Sequence, residues 1–236
     1  EDVRQRIYTY MQQHPPAARS REALNEMLAD AAASNDNLSG IGVVFEPNAF
    51  DGQDAAHVGD PLSDESGRVM PYVDREGNAV EFEPCTGYET ATWYQKPKST
   101  SKLVLSEAYY HEVAGKKALL VSIGMPIIVD GHFIGALSLD FDVSHIQEDL
   151  AKASSADNTY LLIDNEGDLV AHGTSPESIM KNAFTIMQST EEEKKEIYSE
   201  TPFSKAQYST TTGKDSVYVF HAVKFAGVDA KWSIFS

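Results

Sequence analysis

The apolar positions of this 236-residue chain change period several times, and each change marks an element. Val3, Ile7, Tyr10, Met11 and His14 recur at helical spacing until Pro15-Pro16, which removes two backbone donors and ends the helix. Ser20 stands where an N-cap is expected, ahead of Leu24, Met27, Leu28 and Ala31 on one face of a second helix that ends near Asn35. Ile41–Glu46, Val69–Val73 and Ala79–Phe82 are short strand-like runs, the last two joined by a turn expected at residues 75–78. Thr86–Lys98 is expected to carry a short helix around Trp93-Tyr94, and Leu103–Ser106 returns as a strand running into Tyr109. The longest pattern is a pair of apolar runs, Lys117–Ile128 and Phe133–Val143, around Asp130-Gly131, the dipeptide favoured at a two-residue hairpin turn. Together these segments predict an antiparallel sheet of about five strands with helices on its faces.

A second set of elements follows. Ser144–Ala153 reads as a helix with Gln147 at capping-box spacing, and it marks the expected boundary between domains. Thr159–Asp164 and Leu169–His172 flank a turn at Asn165–Asp168. Helical segments are expected at Pro176–Asn182 and from Thr190, whose Glu193 completes a capping box. Strands at Phe203–Thr210, Val217–Val223 and Lys231–Phe235, with a turn at 212–215 between the first two, make this a smaller α+β sheet. The chain therefore reads as two related units in tandem, without a residue-level repeat.

Composition narrows the partners. Hydrophobic residues at 42% and charged residues at 23% describe a folded chain rather than a disordered one. An excess of 36 acids over 19 bases gives a formal charge of −17, which repels nucleic-acid phosphate and anionic lipid and attracts cations. Nucleic acid is therefore not an expected partner. Cys85 is the only cysteine, so the chain has no intrachain disulfide and no thiolate metal site. No apolar run approaches the roughly 20 residues that cross a bilayer. The chain begins inside a helical pattern and stops just after an apolar strand, so both ends are expected to be cuts from something longer.

No phosphate-binding, nucleophile-elbow or zinc-protease motif is present, and the seven histidines are far apart in sequence. No cofactor and no metal are expected. Asp51–Asp54 (DGQD) resembles a fragment of a calcium loop but lacks the regular oxygen spacing and distal Glu, and it reads as an Asx-rich turn. Asp140 and Asp142 lie two apart on a strand and share a face. With His111 they give the one enzymatic alternative, an acid/base hydrolase. Binding is the more economical use, because a carboxylate beside aromatic rings suits an ammonium group, with cation–π attraction of roughly 0.5 to 2 kcal/mol per ring. Trp93 and Tyr94 serve equally well as core.

Phe45–Asp54, Gly67–Val73, Thr92–Lys98 and Ser106–Asp140 together resemble the double Cache (dCache) sensor domain of bacterial transmembrane receptors, most often methyl-accepting chemotaxis receptors. The resemblance implies an α+β fold: a long N-terminal helix (residues 1–40), then two tandem PAS-like modules, a membrane-distal ligand-binding one (41–146) and a membrane-proximal one (147–236). It also implies a non-catalytic domain on the extracytoplasmic side of the cell membrane and homodimerisation in the full-length receptor. In family members that bind amino acids, an Arg two positions before the Trp holds the ligand carboxylate, while Asp and Tyr hold the amino group. Here Trp93 and Tyr94 match the paired aromatics, Tyr109 the later Tyr and Asp140 the terminal Asp. Ala91 stands where the Arg would be and His111 where an Asp usually follows the Tyr. The ligand site so implied is Trp93, Tyr94, Tyr109, His111 and Asp140, and loss of the bidentate clamp favours an amine or quaternary ammonium over an ordinary amino acid. The alternatives are a carboxylate, amino acid or nucleobase-like ligand held by His111 and backbone donors, and a module that senses a periplasmic binding protein. The output domain could equally be that of a histidine kinase or a cyclase.

Overall fold

The computed structural model describes residues 3–76, 79–113, 116–155, 157–209, 213–225, 227–228 and 230–236. The turns expected at 75–78 and 212–215 fall partly outside them. Its contacts divide the chain into two compact units, Glu1–Ser106 with His111–Asp142 and Glu107–Tyr110 with Val143–Ser236.

In the first unit, α1 (Val3–Gln13) buries Val3, Ile7 and Met11. Helix α2 (Arg21–Ala33) buries Leu24, Leu28 and Ala32 and is capped by Ser20, whose side chain accepts from Ala23 N at 3.2 Å. Both stripes join Ile41, Val43, Phe45 and Leu137 in one core on one face of the sheet. Each fully buried Leu or Ile there contributes about 1.5–3 kcal/mol. The acidic loop is tied to the same core by Arg21, which donates to Asp51 Oδ2 at 2.7 Å, Asp54 Oδ1 at 3.1 Å and the Gly67 carbonyl at 2.7 Å. Asp51 also accepts from Gln53 N at 2.9 Å, an Asx turn.

The sheet has seven strands, more than the five expected. Its order is β3 (Ala79–Pro84), β2 (Pro71–Glu76), β1 (Gly40–Phe45), β7 (His132–Asp142), β6 (Lys116–Val129) and β4 (Val104–Leu105), with β5 (Tyr109–Val113) also paired to β6. The extra pairing arises because β6 is 14 residues long, so that β4 and β5 can share the edge that β7 does not use. Asp130 and Gly131 both take positive φ, 51° and 78°, which gives the β6–β7 hairpin the left-handed turn that matches strand twist. Helix α3 (Thr92–Thr100) lies on the face opposite α1 and α2, where Trp93 and Tyr94 pack against Val44, Tyr72 and Ala136.

The second unit contains α4 (Ser144–Ala153) and a five-stranded sheet. Its order is β10 (Phe203–Ser209), β11 (Lys214–Val223), β12 (Trp232–Phe235), β8 (Leu161–Ile163) and β9 (Leu169–His172). Two expectations fail here. Helix α4 has Val143 as its N-cap with no side-chain cap, because Gln147 instead brackets His172, donating to its carbonyl at 3.0 Å and accepting from its N–H at 2.8 Å. Pro176–Asn182 is not a helix but a single 3-10 turn, Pro176–Ser178. Met180 N donates to Leu169 O at 2.7 Å and Leu169 N to Lys181 O at 3.0 Å, which lays the segment alongside β9. Asn182 then caps α5 (Ala183–Ile186), and Thr190 with Glu193 forms the expected capping box of α6 (Glu191–Ile197).

Candidate functional site

The register of the first sheet sets two rows of side chains on the face that α3 covers. One row is Glu83, Tyr72, Gly42, Ser138 and Gly124, and the next is Glu81, Asp74, Gly40, Asp140 and Ser122. Asp74 and Asp140 thus face each other across Gly40, two strand spacings or roughly 10 Å apart. Small residues here are required by close approach. A Cβ on Gly40 would lie 2.0 Å from the Tyr72 hydroxyl, and one on Gly124 would lie 2.2 Å from the Trp93 carbonyl oxygen.

Asp140 is 4% exposed. Tyr72 donates to its Oδ2 at 2.8 Å and Ser138 to its Oδ1. Burial pushes its carboxyl above the ordinary range, while Ser138, Ser122, Tyr72 and His111 pull the other way. Asp74 is pushed up to about 6, first by burial and then by Glu83, Asp140 and Glu81. Its Oδ1 is buried with no hydrogen-bond partner among the described residues. The face therefore gathers carboxylates, and His111 is the basic side chain that lowers both Asp74 and Asp140. Burial also raises the Cys85 thiol, which packs beside Tyr72 and so stays protonated.

Of the residues singled out in the sequence, His111 meets Tyr72 edge-on with ring centroids 6.3 Å apart, and Tyr72 in turn holds Asp140. Trp93 and Tyr94 contact each other edge-on at 5.7 Å and belong to the same buried cluster as Tyr72. Tyr94 is 1% exposed, and its hydroxyl donates to Glu46 and accepts from Arg68 at 2.7 Å. The cations near its ring are the protein's own, Arg68 at 5.9 Å and Lys98 at 5.8 Å. Tyr109 belongs to the second unit. Sequence reasoning missed Tyr72, Asp74 and Arg68. Arg68 supplies a guanidinium near the aromatic pair, but it donates to the Phe45 carbonyl, Tyr88 at 2.8 Å and Tyr94. Among the described residues, no group of three or more His, Cys, Asp and Glu is placed to hold a metal ion.

The fold is that of an extracellular sensor domain. The chain aligns with the extracellular domain of mmHK1S-Z3, described as a histidine kinase, at a TM-score of 0.80 and 28% identity, covering 98% of this chain and 84% of that one. It aligns with the periplasmic sensory domain of the Campylobacter jejuni chemoreceptor Tlp1 at 0.77 and 13% identity, covering 99% and 83%. The model of the family "Methyl-accepting chemotaxis protein-like, first PDC sensor domain" matches residues 24–148, and the chain belongs to that family. It is also 32% identical over 142 residues to the methyl-accepting chemotaxis protein TlpQ of Pseudomonas aeruginosa. That alignment takes in 54% of this chain and spans 20% of the length of that relative. No helix among the described residues is long and apolar enough to cross a membrane.

Proposed function

We propose that the chain is the extracytoplasmic, double Cache sensor region of a transmembrane chemoreceptor, and that its first unit is the membrane-distal module and binds a small amine or quaternary ammonium compound. The observation that carries the ligand class is the pair Asp74 and Asp140 across Gly40, with one buried Asp74 oxygen unpartnered among the described residues. A bound cation would relieve their mutual repulsion, and the Tyr72, Trp93 and His111 rings beside them would supply apolar contact and cation–π attraction. Tyr94, bound to Glu46 and Arg68, positions α3 behind this lining. Arg68 is already committed to four oxygen partners, the Glu46 carboxylate among them, which supports an ammonium rather than a carboxylate as the group recognised. Such a ligand biases signalling only by its difference in affinity for two receptor states. Homodimerisation and a cytoplasmic output domain, and a periplasmic binding protein as a further partner, belong to the whole receptor.

The test is a calorimetric and thermal-shift screen of amines, betaines, amino acids and small carboxylates against this chain. Amines are expected to stabilise it, and Asp140→Ala to remove that effect. Stabilisation by acids but not amines would overturn the ligand class, and amine binding that survives Asp140→Ala would overturn the site.

A further inference from the structure

The second unit contains a cavity of about 590 Å³. That is within the roughly 300–1,000 Å³ of small-molecule sites. Strand register fixes its floor. Phe203, Phe220, Phe235, Leu161 and His172 are paired in turn across β10, β11, β12, β8 and β9, so they form one row on one face. Phe220 and Phe235 in this row pack into the core with Leu169, Ala183 and Met187, and His172 ends it at the cavity wall. On β11, Lys214, Ser216 and Tyr218 alternate with Phe220 and therefore share its face, and all three line the cavity. Asp215, which also borders it, alternates to the other face, and Asp157 stands exposed at the rim.

Two of the polar groups that line it, on His172 and Lys214, are donors. His172 Nδ1 accepts from the backbone N–H of Ser175 at 3.1 Å and of Thr174 at 3.4 Å, which places the ring proton on Nε2. Burial lowers its pKa, so the ring is a neutral donor at physiological pH. Among the described residues Lys214 makes no ion pair, while Lys194 of α6 is paired with Glu191 and Lys205 of β10 with Glu193. At the mouth, Ile186 leaves an apolar side chain 44% exposed.

An apolar floor, one cation and one fixed neutral donor make a different site from the acidic face of the first unit. We propose that this cavity is a second ligand site and that it takes a small organic carboxylate with an apolar body, held by Lys214 and His172 Nε2–H. The inference is independent of the amine reading of the first unit.

The experiment titrates the chain with isovalerate and phenylacetate as probes and isoamylamine as the cationic counterpart, by calorimetry and methyl NMR. Both carboxylates are expected to bind and to shift the methyls of Leu161, Leu169 and Met187. Lys214→Glu, at an exposed position, is expected to weaken them at least ~10-fold, the scale of one charge-assisted hydrogen bond. The same reversal at exposed Lys102, in the first unit, should leave them unchanged. Absence of binding up to about 10 mM, binding indifferent to Lys214→Glu, or tighter binding of isoamylamine at the same methyls would each overturn the proposal.

Discussion

Asp140, on β7 of the first unit, and Asp164, just after β8 in the second, are both buried carboxylates, and burial raises both, Asp164 to about 6. They differ in what donates to them. Asp164 accepts from the backbone N–H groups of Ala108, Glu166 and Asp168, each at 3.0 Å. Those donors are backbone groups, fixed by the path of the chain. Asp140 is met by the hydroxyls of Tyr72, Ser138 and Ser122. A hydroxyl rotates and is an acceptor as well as a donor, so this set can rearrange around a new cation whereas a backbone set cannot. The first arrangement is a structural joint; the second suits a carboxylate that shares its charge with a ligand.

The largest effect is expected where the joint is broken. Asp164→Ala strands three backbone donors, that of Ala108 buried and those of Glu166 and Asp168 partly so, and should cost about 4 kcal/mol in urea denaturation. A loss under about 1 kcal/mol would remove the distinction between the two aspartates. Asp140→Asn, by contrast, keeps size and hydrogen bonding and should leave stability within about 1 kcal/mol of the parent while lowering amine affinity at least ~10-fold. Gly40→Ala brings a Cβ to 2.0 Å from the Tyr72 hydroxyl and should displace the ring from Asp140, costing about 1–3 kcal/mol as overpacking. The gentlest probe is pH. With its pKa raised to about 6, Asp74 is neutral below that value and attracts a cation only above it. Amine affinity is therefore expected to rise a few-fold between about pH 5 and pH 7 and then level off, and Asp74→Asn to flatten the profile.

What was legible in the chain was local. Asp130-Gly131 demanded a left-handed turn and received one, and Thr190 with Glu193 capped α6 as its spacing predicts. Ser144 with Gln147 offered the same spacing and failed, because Gln147 finds His172, 25 residues away. Nothing within the helix could reveal that competitor. The candidate site divides in the same way. Asp140 stands out as an acid in an apolar strand, and Trp93 as a large ring beside it in composition. Tyr72 and Asp74 become neighbours of Asp140 only through the register of β2 on β1 and β1 on β7. Two glycines, Gly40 and Gly42, look like weak strand residues until that register shows the Tyr72 ring lying against them. The two sheets as a pair were readable from alternation, but the share of β6 taken by β4 and β5 was not, since β4 is two residues long.

The strand order of the second unit has a consequence for how that unit forms. Its middle strand, β12, is the last of the five in sequence, and it is what joins the β8–β9 pair to the β10–β11 pair. Until Trp232–Phe235 has been synthesised, two hairpins exist with an unfilled gap between them, each marginal by itself. Closing that gap requires contacts of long sequence separation, which is a slow step. The second unit therefore assembles late and as a whole, whereas the β6–β7 hairpin of the first can form as soon as its turn has been made.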